Sequence, residues 1–207
     1  MGKKQPLILQ VRQGHADSKY AIGRAADALR NGSLVIMPTD TVYGVAADAR
    51  VAEWAEKIYR AKNRERGKPI PILAADLRQV EGYGAEFDRV EKTLAERFWP
   101  GPLTLVLRAG GGTEGFRVPA CGIALELLRA VGGVLRVTSA NLSGESPALT
   151  IEEAIVSIGG YVDIVLDAGA ASGGIPSTVA KVENGKVVVL RQGAISAEEL
   201  SAVAARE

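Results

Sequence analysis

The stretch SLVIMPTDTVYG, residues 33–44, joins an apolar run directly to a polar loop. The apolar run, residues 33–37, is continuous rather than alternating, which predicts a strand that is buried on both faces of a sheet. The loop PTDTVYG then places two threonine hydroxyls, a carboxylate and a tyrosine just beyond that strand. Ligands bind beyond such strand ends in open α/β sheets. The alternative is an ordinary turn in which Asp40 caps its own backbone.

Helices and strands alternate outward from this stretch. Further strands are predicted at 7–11, 70–75, 103–109, 116–119, 134–138, 163–169, 178–182 and 186–191. Helices are predicted at 18–30, 51–62, 88–98, 123–131, 150–158 and from 196 onward. The last two helices begin with capping-box spacing, and Asn184-Gly185 is a strong hairpin signal. The predicted fold class is therefore α/β, with a twisted, open, mixed sheet flanked by helices.

The composition is typical of one folded domain. The 207 residues are 47% hydrophobic and 24% charged, so 1–207 is expected to form a single domain around one core. The formal net charge of +1 excludes a global basic field that attracts nucleic acid. The single cysteine, Cys121, excludes an internal disulfide and a cysteine-based zinc site. No apolar run is long enough to span a membrane, so we expect a cytoplasmic protein with no membrane partner.

Several familiar catalytic motifs are not expected. His15 is the only histidine and lies near the N-terminus, which argues against a Ser-His-Asp or Cys-His nucleophile. The P-loop pattern G-x-x-x-x-G-K-[ST] does not occur. Gly110, Gly112 and Gly115 match G-x-G-x-x-G, but the residues that follow, FRVPA, are typical of a strand. A dinucleotide site needs a helix there, so the pattern favours a strand-to-strand turn.

The densest charge is in KIYRAKNRERGK, residues 57–68, which holds six cations and one acid. A solvated helix end is one explanation, since lysine and arginine stabilise a helix C-terminus. However, Lys62 is four residues after Ile58 and continues the inner face of the predicted helix. Its ammonium must enter a polar cavity or meet an anion, because burying an unpaired charge is costly. Arg64 lies just past the helix end, where a guanidinium can bind phosphate oxygens.

Other polar residues follow apolar strands in the same way. SANLSG, residues 139–144, comes directly after the strand VLRVT and forms a second polar loop at a strand end. Arg117 in FRVP and Arg191 in VVVLRQG are either exposed strand-edge cations or anion clamps. Together with Lys62, these segments predict a concave, polar and cationic cavity.

Taken together, the segments closely resemble the YrdC family of L-threonylcarbamoyladenylate synthases. The matching stretches occur in family order from about residue 20 to residue 193, and they are SLVIMPTDTVYGVAADA, IYRAKNRERGKPIPIL, FWPGPLTLVL, FRVP, TSANLSGESP, PSTVAKV and VVVLRQG. The resemblance implies a nucleotidyltransferase that condenses L-threonine, bicarbonate and ATP to threonylcarbamoyl-AMP and pyrophosphate. It also implies Mg²⁺ carried by ATP, a downstream transferase complex that modifies tRNA, and binding of tRNA or double-stranded RNA as a further possibility.

The same resemblance assigns roles to individual residues. The implied ATP-binding residues are Lys62, Arg64, Asn141 and Arg191. The implied L-threonine-binding residues are Thr39, Arg117, Ser139 and Ser177. Lys62 and Arg64 match the K-x-R pair of the family and are also expected to be catalytic, whereas Arg117 is expected to clamp the threonine carboxylate. No metal-ligand set is implied, and Asp40 is a candidate for an outer contact only.

The sequence departs from the family pattern at Ala120-Cys121-Gly122, where A-H-P is usual. It also lacks a histidine after the K-x-R strand and has a longer connection at RERGKP. These differences bear on L-threonine selectivity rather than on the adenylate chemistry. The chain ends soon after LRQG, so the extra C-terminal domain of longer relatives is not expected. Two alternatives remain, a paralogue that activates another carbamate or carbamoyl group with ATP, and a non-catalytic module that binds double-stranded RNA.

Overall fold

Buried apolar strands form the centre of the fold. In the computed structural model, which describes residues 5–171 and 173–205, eleven strands hydrogen-bond into one sheet. The strands are β1 Leu7–Gln10, β2 Val35–Met37, β3 Gly44–Asp48, β4 Ile72–Leu73, β5 Ala85–Glu86, β6 Leu103–Ala109, β7 Gly112–Arg117, β8 Leu135–Ser139, β9 Ile164–Asp167, β10 Thr178–Glu183 and β11 Lys186–Arg191. Their order across the sheet is β1-β9-β2-β3-β8-β4-β7-β6-β10-β11, and β5 pairs with β6 outside this path.

Helices cover the sheet between these strands. They are α1 Ala16–Arg30, α2 Trp54–Ala61, α3 Leu77–Gly82, α4 Arg89–Phe98, α5 Gly122–Val131, α6 Ile151–Ile158 and α7 Ala197–Ala204, and a 3₁₀ turn spans Gly159–Tyr161. The pairs β1–β9, β2–β9, β4–β7 and β6–β10 are parallel, and the remaining pairs are antiparallel. The predicted α/β class, with a mixed sheet flanked by helices, is therefore confirmed.

Local signals in the sequence account for several element ends. Thr150 with Glu153 and Ser196 with Glu199 form the two expected capping boxes, which satisfy backbone N–H groups at the starts of α6 and α7. The β10–β11 hairpin turns at Asn184 (φ 52°) and Gly185 (φ 73°), which is the left-handed backbone that such tight turns need. The predictions of two capped helices and one hairpin are confirmed.

The glycine cluster after β6 is a turn, as the sequence indicates. Gly110 and Gly111 have φ of 57° and 79°, and they join β6 to the antiparallel strand β7. The strand itself begins at Gly112, earlier than the predicted start at Phe116. The cluster therefore forms a β-hairpin and not a nucleotide-binding loop.

Three elements were absent from the sequence-based prediction, namely β3, α3 and β5. Strand β3 reads GVAAD, and its glycine and alanines have low strand propensity. It forms because it pairs with β2 on one side and β8 on the other. Helix α3 begins at Asp76, whose side chain accepts a hydrogen bond from the backbone N–H of Gln79.

The core divides between the two faces of the sheet. Val35 and Met37 of β2 pack against α1 and α5, whereas Ile36 between them packs against α2 and α6. This alternation confirms that the apolar run of residues 33–37 is buried on both faces. A further cluster joins α4 and α7 to the strands β4, β6 and β7.

Candidate functional site

Strand β3 brings the two polar loops together. Its first residue, Gly44, pairs with Met37 at the end of β2 and with Ser139 at the end of β8. The backbone N–H of Ala140 also donates to the carbonyl oxygen of Tyr43 at 2.8 Å. A Cβ on Gly44 would lie 2.7 Å from Cγ1 of Val137, so this close approach requires glycine.

The loop PTDTVYG is held by hydrogen bonds of its own. The Thr39 hydroxyl donates to the carbonyl oxygen of Val42 at 2.6 Å and accepts from the backbone N–H of Thr41 and of Val42 at 3.2 Å each. It also lies 3.0 Å from the Thr41 hydroxyl. The backbone N–H of Gly174 donates to the Thr41 carbonyl oxygen at 2.8 Å. Thr39 therefore shapes the loop as well as lining it.

Lys62 caps α2 and points inward, as its place on the inner face of the helix predicts. The residue is 1% exposed. Its ammonium donates to the carbonyl oxygens of Ser139 and Asn141, at 2.5 Å each, across the end of β8. The lysine charge is thus held by backbone dipoles rather than by a carboxylate.

The surroundings of Lys62 make its proton easier to lose. Burial, helped by the positive charge of Arg64, lowers the pKa of Lys62 to about 8, and Glu145 partly opposes this change. Below that pH the side chain is a buried cation without an anionic partner in hydrogen-bond contact. Such a group favours the arrival of an anionic ligand.

Arg64 and Asn141 carry unsatisfied polar atoms beside Lys62. Within the described residues, three buried side-chain atoms have no hydrogen-bond partner, and two of them are Arg64 Nε and Asn141 Oδ1. The Asn141 amide nitrogen donates to the carbonyl oxygens of Leu142 and Glu145 at 2.7 and 2.9 Å, which fixes its oxygen on the other side. Buried polar atoms of this kind are normally paired, so these two indicate a place for a polar ligand.

Arg117 is brought to the loop PTDTVYG from the end of β7. Its Nε donates to the carbonyl oxygen of Gly101 at 3.0 Å, and its Nη1 donates to the Thr41 hydroxyl at 3.1 Å. Its Nη2 forms an ion pair with Asp40 Oδ1 at 2.5 Å, and the two side chains are 7% and 12% exposed. Asp40 therefore pairs with an arginine instead of capping its own backbone.

Ser177 and Arg191 form a neighbouring cluster. The Arg191 guanidinium donates to the carbonyl oxygen and hydroxyl of Ser177 at 2.8 and 3.2 Å. The Ser177 hydroxyl lies 2.9 Å from that of Thr104 on β6. Burial lowers the pKa of Arg191, and the nearby positive charge of Arg117 adds to the effect.

A cavity of about 330 Å³ opens beside Asp40. Its lining combines the polar loop with the start of α5 and the segment after β1: Val11, Arg12, Gln13, Thr39, Asp40, Ala120, Cys121, Gly122, Ile123 and Ala168. The two residues that depart from the family pattern here, Cys121 and Gly122, thus line this cavity.

The implied site residues fall into two contact groups. Lys62, Arg64, Ser139 and Asn141 lie at the end of β8, whereas Thr39, Asp40, Arg117, Ser177 and Arg191 lie around the loop PTDTVYG and the start of β10. Arg191 contacts Ser177, a residue expected at the threonine side, although it was expected to bind the nucleotide. Two contributors, Thr104 and the carbonyl of Gly101, were not expected. A polar residue within the apolar strand LTLVL was the only signal for Thr104.

Residues 5–171 and 173–205 contain neither a metal-ligand cluster nor a membrane-spanning helix. No group of three or more histidine, cysteine, aspartate or glutamate side chains in these ranges is placed to hold a metal ion. In the same ranges, every helix is too short or too polar to cross a membrane.

Known proteins resemble this chain in sequence. The family model Sua5_yciO_yrdC, described as "Telomere recombination", matches residues 27–193. A threonylcarbamoyl-AMP synthase of Bacillus subtilis is 36% identical over 193 residues, which cover 88% of this chain and 56% of that relative. A putative threonylcarbamoyl-AMP synthase of Methanocaldococcus jannaschii is 32% identical over 209 residues, covering 97% of this chain and 99% of the relative. The chain thus spans little more than half of the first relative and nearly all of the second.

Solved structures resemble it as well. The crystal structure of P. abyssi Sua5 complexed with L-threonine superposes with a TM-score of 0.87 at 32% identity, covering 97% of this chain and 61% of that one. The crystal structure of E. coli YciO superposes with a TM-score of 0.84 at 24% identity, covering 94% of this chain and 99% of that one. The second comparison establishes the fold alone.

Proposed function

The chain belongs to the Sua5/YciO/YrdC family, and on that premise we propose that it is an L-threonylcarbamoyladenylate synthase. The proposed reaction condenses L-threonine, bicarbonate and ATP to threonylcarbamoyl-AMP and pyrophosphate. The observation that carries the proposal is Lys62, a buried cation that is held only by backbone carbonyl oxygens and lies beside two unpaired polar atoms. A polyphosphate supplies the negative charge that this arrangement lacks.

ATP would bind at the end of β8. Lys62 and Arg64 would hold its phosphates. The lysine ammonium would act as a point charge, whereas the arginine guanidinium can donate two parallel hydrogen bonds to phosphate oxygens. The unpaired Oδ1 of Asn141 would accept a hydrogen bond from an amino or hydroxyl group of the nucleoside. Arg191, which contacts Ser177, would meet the nucleotide where the two contact groups adjoin.

L-Threonine would bind around the loop PTDTVYG. Arg117 would take its carboxylate, and Thr39, Ser139 and Ser177 would supply hydroxyl contacts. The L-threonine complex of the P. abyssi relative supports this choice of substrate.

The reaction itself needs no protein nucleophile. Bicarbonate takes up a proton and releases water to give carbon dioxide. The threonine ammonium loses one proton to become an amine, adds to carbon dioxide and loses a second proton, which gives a carbamate. A carbamate oxygen then attacks the α-phosphorus of ATP, the bond to the bridging oxygen breaks, and pyrophosphate leaves. The protein contributes by positioning the reactants and neutralising charge with Lys62 and Arg64.

Mg²⁺ would accompany ATP in this reaction. Because the described residues hold no cluster of metal-ligating side chains, phosphate oxygens and water would supply most of its ligands. Asp40 does not fit a metal-binding role well, since its Oδ1 is paired with Arg117.

The proposed product is consumed outside this chain. A separate transferase complex would place the threonylcarbamoyl group on tRNA, in the cytoplasm. All implied site residues lie between Thr39 and Arg191, within the single domain that is expected over residues 1–207.

The RNA-binding alternative is weaker because half of the six cations of segment 57–68 are either paired with carboxylates or buried. Arg66 pairs with Glu56 at 2.6 Å and Lys68 pairs with Glu65 at 3.0 Å. Lys57 donates to the carbonyl oxygen of Gly32 at 2.5 Å. Two of the six cations are thus paired with carboxylates and Lys62 is buried, which leaves at most Lys57, Arg60 and Arg64 for a phosphate backbone.

Pyrophosphate release tests the proposed function. We expect release from ATP only when bicarbonate and L-threonine are both present. Release without L-threonine would favour the paralogue that activates another carbamate or carbamoyl group. No release and no ATP binding, together with steeply salt-dependent binding of double-stranded RNA, would favour the RNA-binding module.

A further inference from the structure

We propose that Asp40 accepts the α-ammonium group of the amino-acid substrate, so that the Asp40–Arg117 ion pair recognises a zwitterion. The inference rests on the proposed function, which supplies an α-amino acid as the substrate and assigns its carboxylate to Arg117.

The ion pair is largely buried, but one of its carboxylate oxygens is accessible. Asp40 Oδ1 accepts from Arg117, whereas Oδ2 has no hydrogen-bond partner among residues 5–171 and 173–205 and is not one of the buried unpaired atoms of these ranges. The Asp48–Arg50 pair at the end of β3 differs, because both carboxylate oxygens of Asp48 accept hydrogen bonds from Arg50. Both carboxylate oxygens of Asp48 are thus paired, whereas Oδ2 of Asp40 can accept a hydrogen bond from a ligand.

Arg117 also retains binding capacity. A guanidinium has five N–H donors, and the hydrogen bonds to Gly101, Thr41 and Asp40 use three of them. These three hydrogen bonds leave two N–H groups of Arg117 unused. The pair therefore has an acceptor oxygen and two N–H donors that these contacts do not use.

An α-amino acid matches this pattern of charge. At neutral pH it carries an ammonium and a carboxylate on the same carbon. If it lies antiparallel to the ion pair, its carboxylate meets Arg117 and its ammonium meets Asp40, so each charge has a partner of opposite sign. An isolated arginine would accept any carboxylate, whether or not an amine is attached.

The proposed reaction requires a substrate with an amine, and selecting such a substrate explains a carboxylate at residue 40. The amine nitrogen is the atom that becomes the carbamate in the proposed reaction, so a carboxylic acid without it blocks the site without reacting. A buried ion pair contributes little net stability, which leaves recognition as the better explanation for Asp40. Asp40 is thus a specificity-determining residue.

The cavity beside Asp40 provides space for the ammonium end of the ligand. Its volume of about 330 Å³ lies within the range of small-molecule pockets, and Thr39, Asp40 and Cys121 are among the residues that line it. Arg117 does not line this cavity, so the carboxylate of the ligand would lie outside it, on the far side of Asp40.

The test compares L-threonine with β-hydroxybutyrate, which keeps the carboxylate and hydroxyl but lacks the amine. Affinities would be measured by calorimetry on the full chain for the wild type, Asp40→Asn and the matched control Asp48→Asn. We expect Asp40→Asn to weaken L-threonine binding by about 10- to 100-fold, the scale of a hydrogen bond to a charged group. Binding of β-hydroxybutyrate is expected to stay equal or become tighter, because the asparagine no longer neutralises Arg117. Asp48→Asn is expected to change neither affinity.

Two results would overturn the proposal. If Asp40→Asn weakens both ligands equally, Asp40 acts only by holding Arg117 in place; if it weakens neither, Asp40 has no part in recognition. Asp40→Glu provides a second variant that keeps the charge, and it must retain the preference for L-threonine even if Asp40→Asn fails to fold.

The design separates this inference from the proposed function. A wild type that binds another α-amino acid but not L-threonine contradicts the proposed substrate alone, and the variants are then compared on that amino acid and its des-amino analogue. A wild type that binds no α-amino acid overturns both.

Discussion

Two regions of this site differ in whether their buried cation is paired with a carboxylate. In the lysine region, formed by Lys62, Arg64, Ser139 and Asn141, a fully buried cation contacts only backbone carbonyl oxygens. In the arginine region, formed by Asp40, Thr41, Arg117, Ser177 and Arg191, the buried guanidinium of Arg117 is neutralised by Asp40 before any ligand arrives. Each region has a buried cation, Lys62 or Arg117, so burial alone does not distinguish them.

The difference shows which ligand each region fits. A region with uncompensated positive charge and unpaired polar atoms is stabilised by a polyanion. A region whose charges already cancel gains little from a bare anion, but it can exchange partners with a ligand that is itself neutral overall. Nucleotide and amino acid are thus assigned by charge balance rather than by shape.

The largest expected effect tests whether the charge of the lysine region is catalytic. We expect Lys62→Ala or Arg64→Ala to lower turnover by about 10²- to 10³-fold, because each removes a cation that stabilises the charge of the transferred phosphate. Steady-state pyrophosphate release measures this. Lys57→Ala on the same helix is the control and is expected to keep near wild-type turnover. Wild-type turnover in both site variants would show that the positive charge of the lysine region is not needed for catalysis.

The second prediction separates the two regions by substrate. Arg117→Ala is expected to raise the KM for L-threonine by about 10- to 100-fold, since it removes a charged hydrogen bond to the carboxylate, with little effect on the KM for ATP. Arg191→Ala is expected to raise the KM for ATP more than that for L-threonine.

Stability must be followed at the same time, because Arg117→Ala leaves Asp40 buried without its partner. The double variant Asp40→Asn, Arg117→Ala removes that unpaired charge and is expected to recover thermal stability. Equal changes in both KM values for Arg117→Ala would mean that the regions do not act separately.

The smallest effect concerns pH. Burial, with Arg64, lowers the pKa of Lys62 to about 8, so Lys62 is charged below that pH and becomes neutral as the pH rises through it. We expect the affinity of the free protein for ATP to fall about tenfold by about pH 9 in the wild type. Calorimetric titrations of ATP across this range should show no such fall in Lys62→Ala. Parallel curves for the two proteins would assign the pH dependence to another group.

Much of the fold was predictable from local patterns. The capping boxes at Thr150 and Ser196 and the hairpin at Asn184-Gly185 depend on residues within a few positions of one another, and all three are confirmed. Strand β3 was not predictable in this way, because its alanines and glycine become a strand only when β2 and β8 pair with it.

Within the site, too, some features follow from nearby residues and others depend on residues far apart in the sequence. The inward position of Lys62 follows from its spacing from Ile58 along one helix, so the sequence alone determined that a cation would be buried there. The partners that hold it, Ser139 and Asn141, are 77 and 79 residues away. The contact between Arg117 and Asp40 likewise joins residues 77 positions apart.

The sequence by itself therefore determined the elements, their order and the residue types at the strand ends, because helix periodicity, capping and turn formation are short-range effects. Only the tertiary structure decided that one buried cation lacks a carboxylate while the other has one. Which charges face each other depends on strand order and register, and those are set by contacts between residues far apart along the chain.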